Sequence, residues 1–142
     1  MSYPAPFCIY KKSAAAQFVL LPPRRNDKGR VDKEGAILVE VAKANGEKSY
    51  DWSQKLTFAL GINDMLQIFN DLDNPPRLLH VLGETTKTLE MKQGEEKYAG
   101  TYMLHVSDMT SKNKVSVPIT AGEYFVLTRL FQSSISKMLG WE

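Results

Sequence analysis

Apolar and polar positions along the chain fall into an order that occurs twice: several strand-like runs, then a helix. The first run, Cys8 to Leu21, is small and apolar and stops at Pro22-Pro23, where the ladder donor is lost. The polar, glycine-punctuated stretch RRNDKGRVDKEG reads as a loop. Ala36 to Val41 is a β-branched strand, Ala44-Asn45-Gly46 signals a hairpin turn, and Lys48 to Trp52 and Lys55 to Leu60 continue as short strands. Ile62, Met65, Leu66, Phe69 and Leu72 recur at helical spacing, which predicts a helix over 62–72. Gly61 or Asn63 would cap it, and Asn74-Pro75-Pro76 would stop it.

The second half repeats this order. Leu78 to Leu82, Thr86 to Met91, Tyr98 to Val106 and Val115 to Ile119 read as strands, with turns at Gly94 and at Lys112-Asn113. In the third of these, Tyr98, Gly100, Tyr102, Leu104 and Val106 are predicted to share a face. Thr120-Ala121-Gly122-Glu123 is a capping box that opens a helix to about Leu139, with Gly140 at the C′ position. The apolar surface of that helix is wider than one core-facing stripe. This predicts burial on two sides, the second at a contact between subunits. Phe125, Leu127, Leu130, Phe131, Ile135 and Met138 are the expected interface residues.

Length and composition narrow the class. A chain of 142 residues suits a single domain over 1–142, with residues 1–7 as a loose N-terminal tail. Hydrophobic residues at 43% and charged residues at 24% are ordinary for a globular protein. No apolar run approaches the roughly 20 residues that span a bilayer, so no membrane association is expected. The opening MSYPAPF has neither an apolar core nor an Arg-rich amphipathic stretch, so the expected location is cytoplasmic or nucleoid-associated, and organellar only for a mature fragment. A net charge of +2 is too mild for holding duplex phosphates by charge alone. It is compatible with single-strand binding, where base stacking contributes about 1–3 kcal/mol per base.

Catalytic chemistry finds little support. His80 and His105 each sit within an apolar strand with no carboxylate in a shared short motif, and the single Cys8 has no neighbouring base. No metal-ligand spacing, GxGxxG or P-loop is present. A non-enzymatic protein without metal or cofactor is therefore expected.

Three stretches together resemble the Whirly family. Tyr10-Lys11-Lys12-Ser13-Ala14-Ala15-Ala16 is similar to the family's K-G-K-A-A-L signature with its preceding tyrosine. Tyr50-Asp51-Trp52-Ser53-Gln54-Lys55 with Phe58-Ala59-Leu60 is similar to its Y-D-W-x-x-K…F-x-L strand pair. Val117-Pro118-Ile119-Thr120-Ala121-Gly122-Glu123-Tyr124, with Leu139-Gly140-Trp141, resembles its final helix entry and terminal G-W. The resemblance implies an α+β fold of two β4α repeats, with two antiparallel sheets packed crosswise around two helices. It also implies a homotetramer that binds single-stranded DNA along its sheets with little sequence preference. Protection of single strands in replication, repair or recombination is the implied use. RNA is an alternative ligand, because the mitochondrial guide-RNA-binding proteins of trypanosomes share the fold; a transcription regulator and a protein-interaction module are further alternatives.

Under this reading Tyr10, Lys11, Lys12, Ser13, Lys48, Tyr50, Trp52 and Lys55 form the nucleic-acid surface, by stacking from the aromatics and phosphate neutralisation from the lysines. Lys48, Tyr50 and Trp52 are expected on one strand face, and Lys87, Lys92 and Lys97 would extend the basic track. The chain departs from the family at one point. Where the family has Gly then Lys it has Lys12 then Ser13, which on a strand would reverse the side-chain direction of the second basic position.

Overall fold

Strand pairing in the computed structural model, which describes residues 4–141, divides the chain at its first helix. The first half contains β1 (Phe7–Tyr10), β2 (Ala14–Leu21), β3 (Arg24–Arg25), β4 (Val31–Lys33), β5 (Ala36–Gly46), β6 (Ser49–Tyr50), β7 (Leu56–Leu60) and α1 (Ile62–Asn70). The second contains β8 (Leu78–Leu82), β9 (Thr85–Gln93), β10 (Tyr102–Asp108), β11 (Asn113–Ile119) and α2 (Ala121–Leu139). Sheet one runs β1-β2-β5-β6, with β7 also paired to β5; sheet two runs β11-β10-β9-β8. Every pairing is antiparallel. Four principal strands followed by a helix, twice, is the α+β arrangement of two β4α repeats.

The period of two along each strand sorts its side chains. Phe7, Phe18, Val39 and Phe58 lie in one cross-strand row of sheet one, and Ile9, Ala16, Val41 and Leu56 in the next. These inner rows join Leu89, Met91, Leu104, Val106, Val115 and Val117 of sheet two in one core. The opposite face of sheet one carries Cys8, Gln17, Glu40 and Thr57 as a polar row.

Several element boundaries differ from those expected. Cys8 to Leu21 is not one strand, because Lys11 N–H donates to Ala14 O (2.9 Å) and closes a hairpin over residues 11–13. Ala14, Ala15 and Ala16 are all buried, so burial there has no alternation that could mark the turn. Phe7 belongs to β1, not to a tail, and its ring lies 6.2 Å from that of Phe18; residues 1–3 of the expected tail lie outside the described residues. RRNDKGRVDKEG is not only loop: it folds back as the β3–β4 hairpin, with Asn26 Oδ1 accepting from the backbone N–H groups of Lys28 and Arg30. β5 continues through the expected turn at 44–46, Trp52 leaves the strand for a 3-10 turn, and β10 begins at Tyr102, with Tyr98 in another such turn. α1 ends at Asn70, two residues early, with Gly61 as its N-cap and Gly61 N–H donating to Asp64 Oδ2 (2.8 Å).

Helix α2 is fixed at both ends. Glu123 N–H donates to Thr120 Oγ1 (3.1 Å) and Thr120 N–H donates to Glu123 Oε1 (2.9 Å), satisfying two free donors at its start. Gly140 adopts φ 77° at its end, a left-handed conformation that suits glycine. Arg25 Nη2 donates to Gly140 O (3.0 Å), placing a cation at the negative end of the helix. Gly35 N–H donates to Met138 O (2.8 Å), and a Cβ on Gly35 would run into Leu21 O. The β3–β4 hairpin and its following glycine thus seat the helix end.

Along its length α2 buries Tyr124, Leu127, Thr128, Phe131, Ser134 and Met138. Phe131 meets Phe18 of sheet one edge-on at 6.3 Å, and Tyr124 stacks on Tyr102 of sheet two at 3.7 Å. The Tyr124 hydroxyl donates to Leu72 O (2.6 Å), tying in the chain after α1. Burial holds that phenol far above its ordinary range, so it stays a protonated donor. Three of the expected interface residues are therefore corrected: Leu127, Phe131 and Met138 are at most 1% exposed within the subunit and have no surface to offer. Ile135 is half-buried. Phe125 and Leu130 are exposed, with Val126 beside them.

Two stability changes follow. Gly35→Ala should lower unfolding free energy by about 1–3 kcal/mol, because the new methyl must displace backbone; the urea midpoint reads this. Tyr124→Phe should lose about 1 kcal/mol with an unchanged m-value, since it removes one hydrogen bond and keeps the stack.

Candidate nucleic-acid interface

The β1–β2 hairpin and the β5–β6 turn come together at one end of sheet one. Tyr10, Lys11, Lys12, Gly46, Glu47, Lys48 and Tyr50 line a shallow groove of about 620 Å³ there. Tyr10 is 60% exposed, and its ring lies 5.7 Å from that of Tyr50, tilted by 34°. The Tyr50 hydroxyl donates to Lys11 O (2.6 Å), so the second tyrosine anchors the hairpin that presents the first. The neighbouring Cys8 thiol, then burial and Tyr50, hold the Tyr10 hydroxyl above its ordinary range, so it remains a neutral donor. An open aromatic pair with lysines around it offers a stacking surface beside cationic groups, the combination that suits unpaired bases and their phosphates.

The lysines differ in what they are free to do. Lys11 Nζ lies 2.8 Å from Glu123 Oε1, so the hairpin is bonded to the first turn of α2. Burial alone would raise the Glu123 carboxyl, but the Lys11 ammonium and the Thr120 hydrogen bonds bring it below its ordinary range. Lys55 Nζ pairs with Glu40, whose other oxygen accepts from Gln17 Nε2 (3.0 Å). Among the described residues no ion pair involves Lys12 or Lys48. Lys48 has φ 56° in the turn after β5, and that turn, rather than a strand face, directs it to the groove.

The polar row on the outer face of sheet one leads away from Lys55. Cys8, Gln17, Glu40 and Thr57 are cross-strand neighbours, and Lys87 Nζ donates to Thr57 Oγ1 (3.0 Å) across the gap to sheet two. Lys87 therefore stands at the end of this row. Lys92 stands opposite Met103 within sheet two, and Lys97 lies 5.2 Å over the Tyr98 ring, so neither joins this row.

Of the eight expected site residues, Tyr10, Lys11, Lys12, Lys48 and Tyr50 line one groove. Ser13 is exposed in the same hairpin, its carbonyl accepting from Ala44 N–H (2.9 Å). Because Lys12 and Ser13 occupy a turn, the strand-direction argument about the changed lysine position does not apply. Lys55 sits further along the sheet, and Trp52 is half-buried in its 3-10 turn, outside the groove lining. Gln17, Glu40, Thr57 and Glu123 were not foreseen as site residues. Only strand register places the first three together, and only the docking of α2 brings the capping glutamate to Lys11.

The histidines have structural partners. His80 Nε2 lies 2.9 Å from Asp64 Oδ2, and its ring stacks on Phe58 at 4.0 Å, joining α1, β7 and β8. His105 Nδ1 lies 2.7 Å from Ser116 Oγ; burial, then Lys114 and Lys92 against an opposing Glu90, holds it below its ordinary range. Among the described residues no group of three or more His, Cys, Asp or Glu could hold a metal ion, and no helix is long and apolar enough to cross a membrane.

The chain is 27% identical over 154 aligned residues to the mitochondrial single-stranded DNA-binding protein WHY2 of Arabidopsis thaliana, covering 96% of this chain and 63% of that protein. It is 28% identical over 152 residues to the chloroplastic single-stranded DNA-binding protein WHY1 of Zea mays, covering 95% of this chain and 56% of that protein. The chain thus spans less than two thirds of the length of either. Among solved structures, WHY1 of Arabidopsis thaliana superposes with a TM-score of 0.83 at 23% identity, covering 99% of this chain and 93% of that one. The plant transcriptional regulator PBF-2 superposes with a TM-score of 0.80 at 24% identity, covering 96% and 83%. These structural likenesses establish the fold. The sequence profile of the family described as Whirly transcription factor matches residues 9–130, most of the chain, and the chain belongs to the Whirly family.

Proposed function

We propose that this protein binds single-stranded DNA without catalysis, with little sequence preference, on the outer face of sheet one. The exposed Tyr10–Tyr50 pair in a groove with Lys11, Lys12 and Lys48 carries this reading. The related WHY1 and WHY2 proteins are named single-stranded DNA-binding proteins, which supports it. Unpaired bases expose faces that stack on tyrosine, whereas a duplex keeps those faces against each other. The biological use is protection of single strands in replication, repair or recombination, at the nucleoid where such strands arise. Transcriptional regulation is the second reading, favoured by the family's description.

The proposed assembly is a homotetramer. Phe125, Val126 and Leu130 are exposed apolar side chains of α2, and Leu130 also lines a small apolar pocket with Pro4 and Phe7. Exposed apolar groups of this kind are the natural material of a contact between subunits.

Fluorescence anisotropy with labelled single-stranded DNA, single-stranded RNA and duplex of equal length tests the ligand. Tight binding to the single-stranded DNA and much weaker binding to duplex is expected; equal affinity for duplex, or none for any nucleic acid, sinks the proposal, and stronger binding to RNA reassigns the ligand. Tyr10→Ala should weaken binding by about 1–3 kcal/mol, the loss of one stacked base. Lys12→Ala should flatten the dependence of log K on log salt by about 0.7, the loss of one phosphate contact. Light scattering should give the mass of four copies for the native chain and a smaller one for Phe125→Glu; a monomeric native chain contradicts the assembly.

A further inference from the structure

The contact between Lys11 and Glu123 joins the groove to a different element, and its geometry resembles that of a lysine on a phosphate. The Lys11 backbone is fixed: its N–H donates to Ala14 O and its carbonyl accepts from the Tyr50 hydroxyl. Only its side chain can move. Glu123 is also held, at the N3 position of α2, with Oε1 accepting from Thr120 N–H. The positive end of the helix favours its charge, and its lowered pKa is consistent with a carboxylate that stays ionised at neutral pH. Lys11 Nζ is thereby presented with an anionic oxygen at 2.8 Å, at the edge of a groove proposed to receive anionic oxygens.

Resting on the single-strand-binding reading, we infer that Glu123 is an internal competitor for the phosphate at Lys11 and sets the affinity of the groove. With Glu123 in place, a nucleic acid gains the Lys11 contact only by displacing a carboxylate already there. Lys12 and Lys48 impose no such exchange. The acid belongs to α2, so an element that contributes no strand to the sheet tunes the binding surface.

The test measures single-stranded DNA affinity of the full chain against salt for the native protein, Glu123→Gln, Lys11→Met, the double variant and a control, Glu84→Gln, in the distant β8–β9 turn. Glutamine still accepts from Thr120 N–H, so the capping box and the thermal unfolding midpoint should be retained. Glu123→Gln should bind about two- to five-fold tighter, the scale of a part-exposed ion pair. Its salt dependence should steepen by up to about 0.7 as Lys11 engages a phosphate. The double variant should match Lys11→Met. Unchanged or weaker binding by Glu123→Gln overturns the inference, as does an equal gain in Glu84→Gln or a double variant tighter than Lys11→Met. If the native chain binds no nucleic acid, the functional reading fails first.

Discussion

Everything in the structure is arranged around the seating of α2 against both sheets. Phe131 meets sheet one through Phe18, and Tyr124 meets sheet two through Tyr102 while its hydroxyl holds the chain after α1. A single side of one helix therefore fixes two sheets and a loop relative to one another. Its ends are held as firmly, by the Thr120–Glu123 exchange at the start and by Arg25 and Gly35 at the finish. With the inner faces sealed by this packing, strand alternation leaves only outer faces and sheet edges for a ligand.

That constraint shapes the charge of the proposed binding surface. Two of the four lysines first assigned to phosphate contact are paired with carboxylates, Lys11 with Glu123 and Lys55 with Glu40. Strong attraction for any polyanion is thereby moderated, which accords with a net charge of only +2. In the proposed binding mode the Tyr10–Tyr50 pair then matters more, because stacking distinguishes unpaired bases from a duplex whereas charge does not.

Register explains most of what was hidden. Cys8, Gln17, Glu40 and Thr57 are far apart in the chain and share no local pattern; they become one row because β1, β2, β5 and β7 pair in a particular alignment. His80 had no carboxylate nearby in sequence, yet it meets Asp64 because β8 runs beside the start of α1. Trp52 was misplaced because an aromatic beside Tyr50 has strand propensity, while the Ser53 hydroxyl on Asp51 Oδ1 belongs to a turn.

The sequence by itself determined the twofold succession of strands and helix, both ends of α2 and the basic, aromatic cluster at Tyr10 to Lys12, but not the hairpin that presents that cluster. These are local: spacing, capping residues and turn chemistry act within a few residues of each other. It also showed that α2 has more apolar surface than one stripe requires. Tertiary structure alone decided how that surface is divided, with Leu127, Phe131 and Met138 inside and Phe125, Val126 and Leu130 outside. It also decided which lysines are paired. Both outcomes depend on the azimuth at which a helix docks and on the register of strands, and these are set by packing between segments distant in the chain.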